Sequence, residues 1–150
     1  MSSSTYEQQK MEKTFRATAK LIAEQYAETI NGWMAPAFES CDHEKGVLTC
    51  SFPMRKEYAN MNGELLNGFV YAMFDISMGA LAGYYSGHMT PTISMTVSYL
   101  NPISVNSPVF VRAQMKQCGD TINNLFAEAF VESAHDTPFA TATGTYLAKK

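Results

Sequence analysis

The stretch Phe69-Val70-Tyr71-Ala72-Met73-Phe74-Asp75-Ile76-Ser77-Met78-Gly79-Ala80-Leu81-Ala82-Gly83-Tyr84-Tyr85 decides the fold. It contains no proline and is too long for an ordinary strand, so it reads as a helix. Apolar residues fall on every side of that helix, which demands burial all round instead of along one stripe. The run contains Asp75 and falls short of the ~20 residues a membrane span needs. It is therefore the centre of a folded domain.

Four period-2 runs follow this helix. Ile93, Met95, Val97 and Tyr99 alternate with Thr92, Ser94, Thr96 and Ser98. Val109, Val111, Ala113 and Met115 alternate with Phe110, Arg112, Gln114 and Lys116. Gly119-Asp120 turns the chain into Ile122–Glu132, and His135–Pro138 turns it again into Phe139–Leu147. Each run is a strand closed by a turn signal. Upstream, Leu48, Cys50, Phe52 and Met54 share one face of a strand, and Asp42-His43-Glu44-Lys45-Gly46 marks a hairpin back to a partner strand over Met34–Cys41. Arg55–Asn67 is a loop rich in Asn and Gly.

Farther upstream, Ser4-Thr5-Tyr6-Glu7 has the form of a capping box. Met11, Phe15, Ile22, Tyr26 and Ile30 recur at helical spacing before Asn31-Gly32, a stop signal. The reading is one amphipathic helix from about Thr5 to Ile30, with room for one break. The order is helix, two strands, loop, helix, four strands. Short turns make the sheet largely antiparallel, and about six strands can bury the central helix only by curling around it. This is an α+β protein, with residues 1–32 as an N-terminal helical extension and residues 33–150 as the sheet-and-helix domain.

Composition narrows the function. The 150 residues are 46% hydrophobic and 17% charged, which fits one folded domain and not a disordered chain. Eleven basic residues against fourteen acidic ones give a net charge of -3, and the basic residues form no stripe. Nucleic acid is therefore not an expected partner. Cys41, Cys50 and Cys118 are odd in number and lack metal-ligand spacing, which favours a reducing compartment. The polar N-terminus shows no secretory signal. A cytoplasmic location follows as an expectation, with no membrane and no metal.

Asp75 stands out because it is the sole Asp, Glu, Lys or Arg between Glu64 and Arg112. A buried carboxylate has to be paired, protonated or useful; the plain alternative is that it reaches solvent or caps a neighbouring backbone. Asn67-Gly68 opens the same helix, where free N–H groups and the dipole favour developing negative charge, although loop-to-helix junctions often carry Gly. Seven residues separate Gly68 from Asp75, a rise of ~10 Å. One carbonyl could not easily meet both on one helix, so a dimer is part of the reading.

These residues lie in a run that resembles the hotdog-fold acyl-CoA thioesterases, the group that includes the phenylacetyl-CoA thioesterases. That family's run reads Asn, two residues, Gly, two residues, His-Gly-Gly and a later Asp. Here it stands as Asn60-Met61-Asn62-Gly63-Glu64-Leu65-Leu66-Asn67-Gly68 followed by Asp75. Thr92 to Pro102 is similar to the family's Thr-led strand, Gly119 to its Gly turn, and Ala140 to Tyr146 to its small-residue last strand. The resemblance implies a hotdog fold and hydrolysis of an acyl-CoA by a homodimer or dimer of dimers, with coenzyme A as part of the substrate and no separate cofactor. It implies Asp75 as general base or nucleophile and Gly68 N–H as oxyanion donor. Asn60 would position the water or the facing carboxylate, and Thr92 would aid the acid or its water. Leu66, Asn67 and Gly119 fall at substrate-binding positions. Leu66 stands in place of the family's His and Asn67 in place of its first Gly, and this departure motivates an alternative: an acyl-CoA binding or sensing protein without catalysis.

Other residues have plainer readings. His43, His88 and His135 fall in turns and read as solvated. Cys118 precedes a turn and reads as a small strand residue. Phe126 and Phe130 share a polar strand face that could be a subunit contact. Tyr84 and Tyr85 could line an acyl pocket or pack in the core. No Gly-x-Ser-x-Gly elbow, P-loop or dinucleotide fingerprint is present.

Overall fold

The computed structural model describes residues 2–149. Helix α1 (Ser3–Gln25) is followed by a short α2 (Ile30–Met34), then β1 (Ala37–Asp42) and β2 (Val47–Phe52). Helix α3 (Asn67–Ser86) precedes β3 (Thr92–Tyr99), β4 (Val109–Cys118), β5 (Ile122–Val131) and β6 (Ala140–Leu147). The six strands form one antiparallel sheet in the order β1-β2-β4-β5-β6-β3. Its inner face packs on α3. The expected α+β architecture, a curled sheet around a central helix with an extra N-terminal helix, is the observed one.

The strand pattern explains the core. Leu48, Cys50 and Phe52 of β2, Val109, Val111 and Ala113 of β4, and Leu125, Ala127 and Ala129 of β5 are buried together with Val70, Met73, Phe74, Met78 and Leu81 of α3. Burial pushes the Cys50 thiol up to about 12, so it behaves as a small apolar side chain. Met11 and Phe15 of α1 and Met34 of α2 belong to the same core. Burial of α3 is not complete: Asn67, Gly68 and Tyr71 are exposed and Asp75 is half-buried.

The N-terminal expectations need correction. Ser2, not Ser4, caps α1, its Oγ accepting from Thr5 N at 3.2 Å; an earlier serine offers the same cap and lengthens the helix. Asn31-Gly32 is not a stop but lies inside α2. Thr29 caps that helix by accepting from Gly32 N, and a Cβ on Gly32 would fall 2.1 Å from Tyr26 O, so glycine is needed for the chain to pass itself there. The break between the helices therefore falls at Tyr26–Thr29. The first strand begins at Ala37, since Met34 ends α2 and Pro36 precedes the sheet. The following hairpin is as expected: Asp42 Oδ1 accepts from Lys45 N at 2.9 Å, and Gly46 takes a φ of 65°. The Lys45 N–H holds the Asp42 carboxyl below the usual carboxylate range.

Candidate active site

Asp75 lies near the middle of α3, on the stripe Asn67, Tyr71, Asp75, Gly79 that helical spacing brings into line. Two hydroxyls converge on one of its oxygens. Thr92 Oγ1 donates to Asp75 Oδ1 at 2.7 Å, and Tyr146 OH donates to the same Oδ1 at 3.1 Å. No described residue donates to Oδ2. Of the plain alternatives, backbone capping does not describe this arrangement, whereas the half-buried carboxylate does reach solvent. Tyr146 is fully buried. Burial, reinforced by the Asp75 charge, pushes its phenol well above the usual tyrosine range, so it serves as a proton-bearing donor.

The sequence reading finds Thr92 but not how it arrives there. Strict alternation puts Thr92 on one face with Ser94, Thr96 and Ser98. In the structure Thr92 pairs with Tyr146 and Ser94 with Thr145, so Ile93 is an extra residue on β3. This β-bulge turns Thr92 from the outer face to the inner one, facing α3. Tyr146 is the site residue that the sequence reading missed; it appeared there only as part of a small-residue strand.

The other expected residues are spread along α3 and its approach. Leu66 is the N-cap position, and among the described residues no side chain caps the helix start. Leu66 donates its N–H to Tyr58 O at 2.9 Å and leaves its side chain 46% exposed. Asn67 O accepts from Tyr99 OH at 3.1 Å. Gly68 is exposed, and a Cβ there would meet nothing within 4 Å, so its surroundings are open. Asn60 acts locally, its Oδ1 accepting from Asn62 N at 2.9 Å and Glu64 N at 3.1 Å, which shapes the loop before α3. None of these hydrogen bonds reaches Asp75. Gly119 lies at the far end of α3. Its N–H donates to Asn123 Oδ1 at 3.1 Å, and Asn123 Nδ2 donates to Ser86 Oγ at 2.9 Å. Within one chain, Gly119 and Gly68 thus stand at opposite ends of a helix about 30 Å long.

Several plainer readings are corrected by packing. His43 is half-buried beside Tyr84 and Tyr85, and Tyr85 OH donates to His43 O at 3.0 Å. Tyr84 packs on Phe15, with ring centroids 5.4 Å apart. The tyrosine pair thus binds α3 to α1 and to the first hairpin. His88 is half-buried, its two ring nitrogens each 2.9 Å from a backbone oxygen, of Met89 and of Ala148. Phe130 is nearly buried on the outer face, stacked on Phe110 and covered by Arg112, which also pairs with Glu128 at 2.8 Å. Cys118 is exposed.

Grooves of ≈ 470 and ≈ 590 Å³ lie on the outer face of β3–β6 and between α1 and β1, and neither is lined by Asp75. Among the described residues no group of three or more His, Cys, Asp or Glu could hold a metal ion, and no helix is long and apolar enough to cross a membrane.

Comparisons with known proteins bear on the fold and the family. The chain is similar in structure to a phenylacetic acid degradation-related protein of Ralstonia eutropha JMP134, with a TM-score of 0.75 and 22% identity over 88% of this chain and 98% of that one. Zebra fish thioesterase superfamily member 2 aligns with a TM-score of 0.76 and 16% identity, over 90% of this chain and 96% of that one. A mutant of phenylacetic acid degradation protein PaaI from Thermus thermophilus gives a TM-score of 0.68 and 17% identity, over 83% and 98%. These likenesses establish the hotdog fold. No curated protein matches the sequence. The thioesterase superfamily model matches residues 62–136, a segment that holds Gly68, Asp75, Thr92 and Gly119, and the chain belongs to that superfamily.

Proposed function

We propose that this protein hydrolyses an acyl-CoA thioester to the free acid and coenzyme A, with Asp75 as general base. The observation that carries the reading is the Asp75 carboxylate, held at Oδ1 by two hydroxyls and unengaged by described donors at Oδ2. A water on Oδ2 gives up its proton as its oxygen bonds to the thioester carbonyl carbon. The carbonyl π pair moves onto oxygen, and the oxyanion is received by Gly68 N–H at the uncapped start of a helix. Collapse breaks the C–S bond, and the leaving thiolate takes the proton from Asp75. Coenzyme A enters as part of the substrate; no separate cofactor is invoked, and the reaction is assigned to the cytoplasm.

The reading requires a second copy of the chain. Gly68 and Asp75 of one α3 are ~10 Å apart along the axis, so a thioester at one Asp75 takes its oxyanion donor from the facing subunit. Strand β3, where Thr92 resides, is the last strand of the sheet and has no neighbour beyond it in this chain. Ile93, Tyr99 and Leu100 beside it and Leu66 and Tyr71 near the helix start are exposed apolar side chains. Such an edge favours pairing with another copy, as a dimer or a dimer of dimers. In that assembly Asn60 supplies its side-chain amide to the water, Leu66 and Asn67 border the acyl group, and Gly119 lies along the coenzyme A path.

Thiol release from acetyl-, octanoyl-, palmitoyl- and phenylacetyl-CoA tests the reading, with Asp75→Asn run beside it. The one exposed cysteine, Cys118, adds a stoichiometric background to a thiol reagent that the blank removes. The expected result is turnover of at least one thioester and a loss of about 10²–10⁴-fold in the variant, which is the scale of general base catalysis. Full turnover by a folded Asp75→Asn protein would sink the assignment. Leu66, apolar at the helix start, favours the binding protein as the second reading; stoichiometric heats of acyl-CoA binding without thiol release would establish it.

A further inference from the structure

Tyr146 is part of neither the family resemblance's catalytic set nor the reaction written above, yet its surroundings serve one purpose. Its ring lies in a slot made by two glycines. A Cβ on Gly144, two residues earlier on β6, would fall 2.9 Å from Tyr146 Cε2 and 3.2 Å from Met78 Cε. A Cβ on Gly79 of α3 would touch the opposite ring edge, Cε1, at 3.6 Å. A side chain at Gly144 would push the ring, whereas a Cβ at Gly79 would meet it at ordinary contact distance. With both absent, the fully buried ring extends beneath α3 and delivers its hydroxyl to Asp75 Oδ1 at 3.1 Å, with Asp75 O at 3.5 Å as a second, longer contact.

The second donor to Oδ1 comes from the residue directly across the ladder. Thr92 and Tyr146 are partners in the β3–β6 pairing, and the bulge at Ile93 turns Thr92 to the same face as Tyr146. One cross-strand pair thus sends a short and a long hydroxyl side chain to one carboxylate oxygen. The Thr92 bond, at 2.7 Å, has the short length of a hydroxyl bond to a charged carboxylate. The Tyr146 bond is longer, at 3.1 Å, and comes from a second strand, so that together they hold Oδ1 and with it the plane of the group. A carboxylate free to rotate would offer either oxygen in many directions. Held in this way, it presents Oδ2 in one.

We propose that Tyr146 is a positioning residue that, paired with Thr92, locks Asp75 Oδ1 so that Oδ2 alone takes the proton of the attacking water. This rests on the reading of Asp75 as the base and goes beyond it by assigning the element that orients that base. Tyr146 is fully buried, so its contribution is expected in kcat and not in KM.

The test uses the full-length chain and whichever of acetyl-, octanoyl-, palmitoyl- and phenylacetyl-CoA it hydrolyses fastest. Tyr146→Phe removes only the hydroxyl and keeps the ring in its slot; the expected result is a fall in kcat of about tenfold at unchanged KM. Gly144→Ala keeps the hydroxyl but pushes the ring, and is expected to lower kcat in the same way. In the Tyr146→Phe background Gly144→Ala should cost nothing more in kcat, because there is no hydroxyl left to misplace. A structural role would not produce that non-additivity at constant KM. Wild-type kcat in Tyr146→Phe, alongside an inactive Asp75→Asn, would overturn this inference and leave the functional reading intact. Parallel changes in kcat and KM, or fully additive losses, would also overturn it. Full turnover in Asp75→Asn, or none of the four thioesters cleaved by the unsubstituted chain, would fail the functional reading first and the inference with it.

Discussion

Strand β1 ends one side of the sheet and β3 the other, and the chain treats these two borders differently. The β1 border is closed by α1. Gln8 Nε2 donates to Cys41 O at 2.9 Å and Gln8 Oε1 accepts from His43 N at 2.8 Å, so one side chain takes the place of a missing strand. Phe15 stacks on Phe38 and Arg16 lies over the same ring at 4.7 Å. Among the described residues no helix closes the free border of β3, whose residues are mostly exposed. An edge left open is an invitation to pairing, which folded proteins ordinarily suppress. Here the unsuppressed edge is also the one beside Asp75, and the suppressed one is far from it. The difference teaches that this chain finishes one border itself and leaves the other open, which is the border where the proposed function places a second copy.

Substitutions at the two borders should therefore separate assembly and turnover from stability. The largest effect belongs to the open border. Ile93 is 54% exposed at the bulge, and Ile93→Lys places a charge where a second β3 would pair. Sedimentation is expected to show monomers, with turnover per chain falling roughly a hundredfold because one oxyanion donor contributes on that scale; monomers with full turnover would break the comparison. Next is Thr92→Val, which keeps shape and removes one donor to Asp75. A fall in kcat of about tenfold with the assembly intact is expected, and an unchanged kcat would show that Thr92 merely packs. The smallest effect on the reaction belongs to the closed border. Gln8→Ala loses its two hydrogen bonds to the backbone of Cys41 and His43, which lowers stability by about 1–2 kcal/mol and the melting temperature by roughly 2–4 °C per kcal/mol. Its kcat should be unchanged; a loss of turnover there would show that the borders are not independent.

How far the sequence reveals this molecule depends on whether a feature belongs to one strand or to two. Alternation along β2, β4, β5 and β6 is a property of each strand alone, and all four are legible. The apolar α3 with its single charge is equally plain, and so is Asp75 as the residue to explain. The inward turn of Thr92 is not legible, because a bulge is a mismatch between two strands and leaves no mark on either. Tyr146 is hidden for a related reason: Gly79, Gly144 and the phenol form one slot only after a helix and a strand have met. Asn31-Gly32 misleads because the glycine that commonly ends a helix is here required by a close backbone crossing. Asn60 stands out in sequence, but its acceptor oxygen is already occupied in shaping its own loop.

The two hydroxyls on Asp75 also differ in what holds them. Tyr146 projects from β6, which has a strand on each side, whereas Thr92 is the first residue of a strand with one neighbour. Border strands open by local fluctuation at far lower cost than interior ones, so amide hydrogens along β3 should exchange sooner than those along β6. One hold on the carboxylate thus shares the slow, near-global opening of the sheet interior, and the other follows the faster breathing of its rim. Docking a second strand against β3 would quiet that breathing and lengthen the fraction of time both hydroxyls are in place. Protein concentration, through assembly, would then set how long the base is correctly aimed.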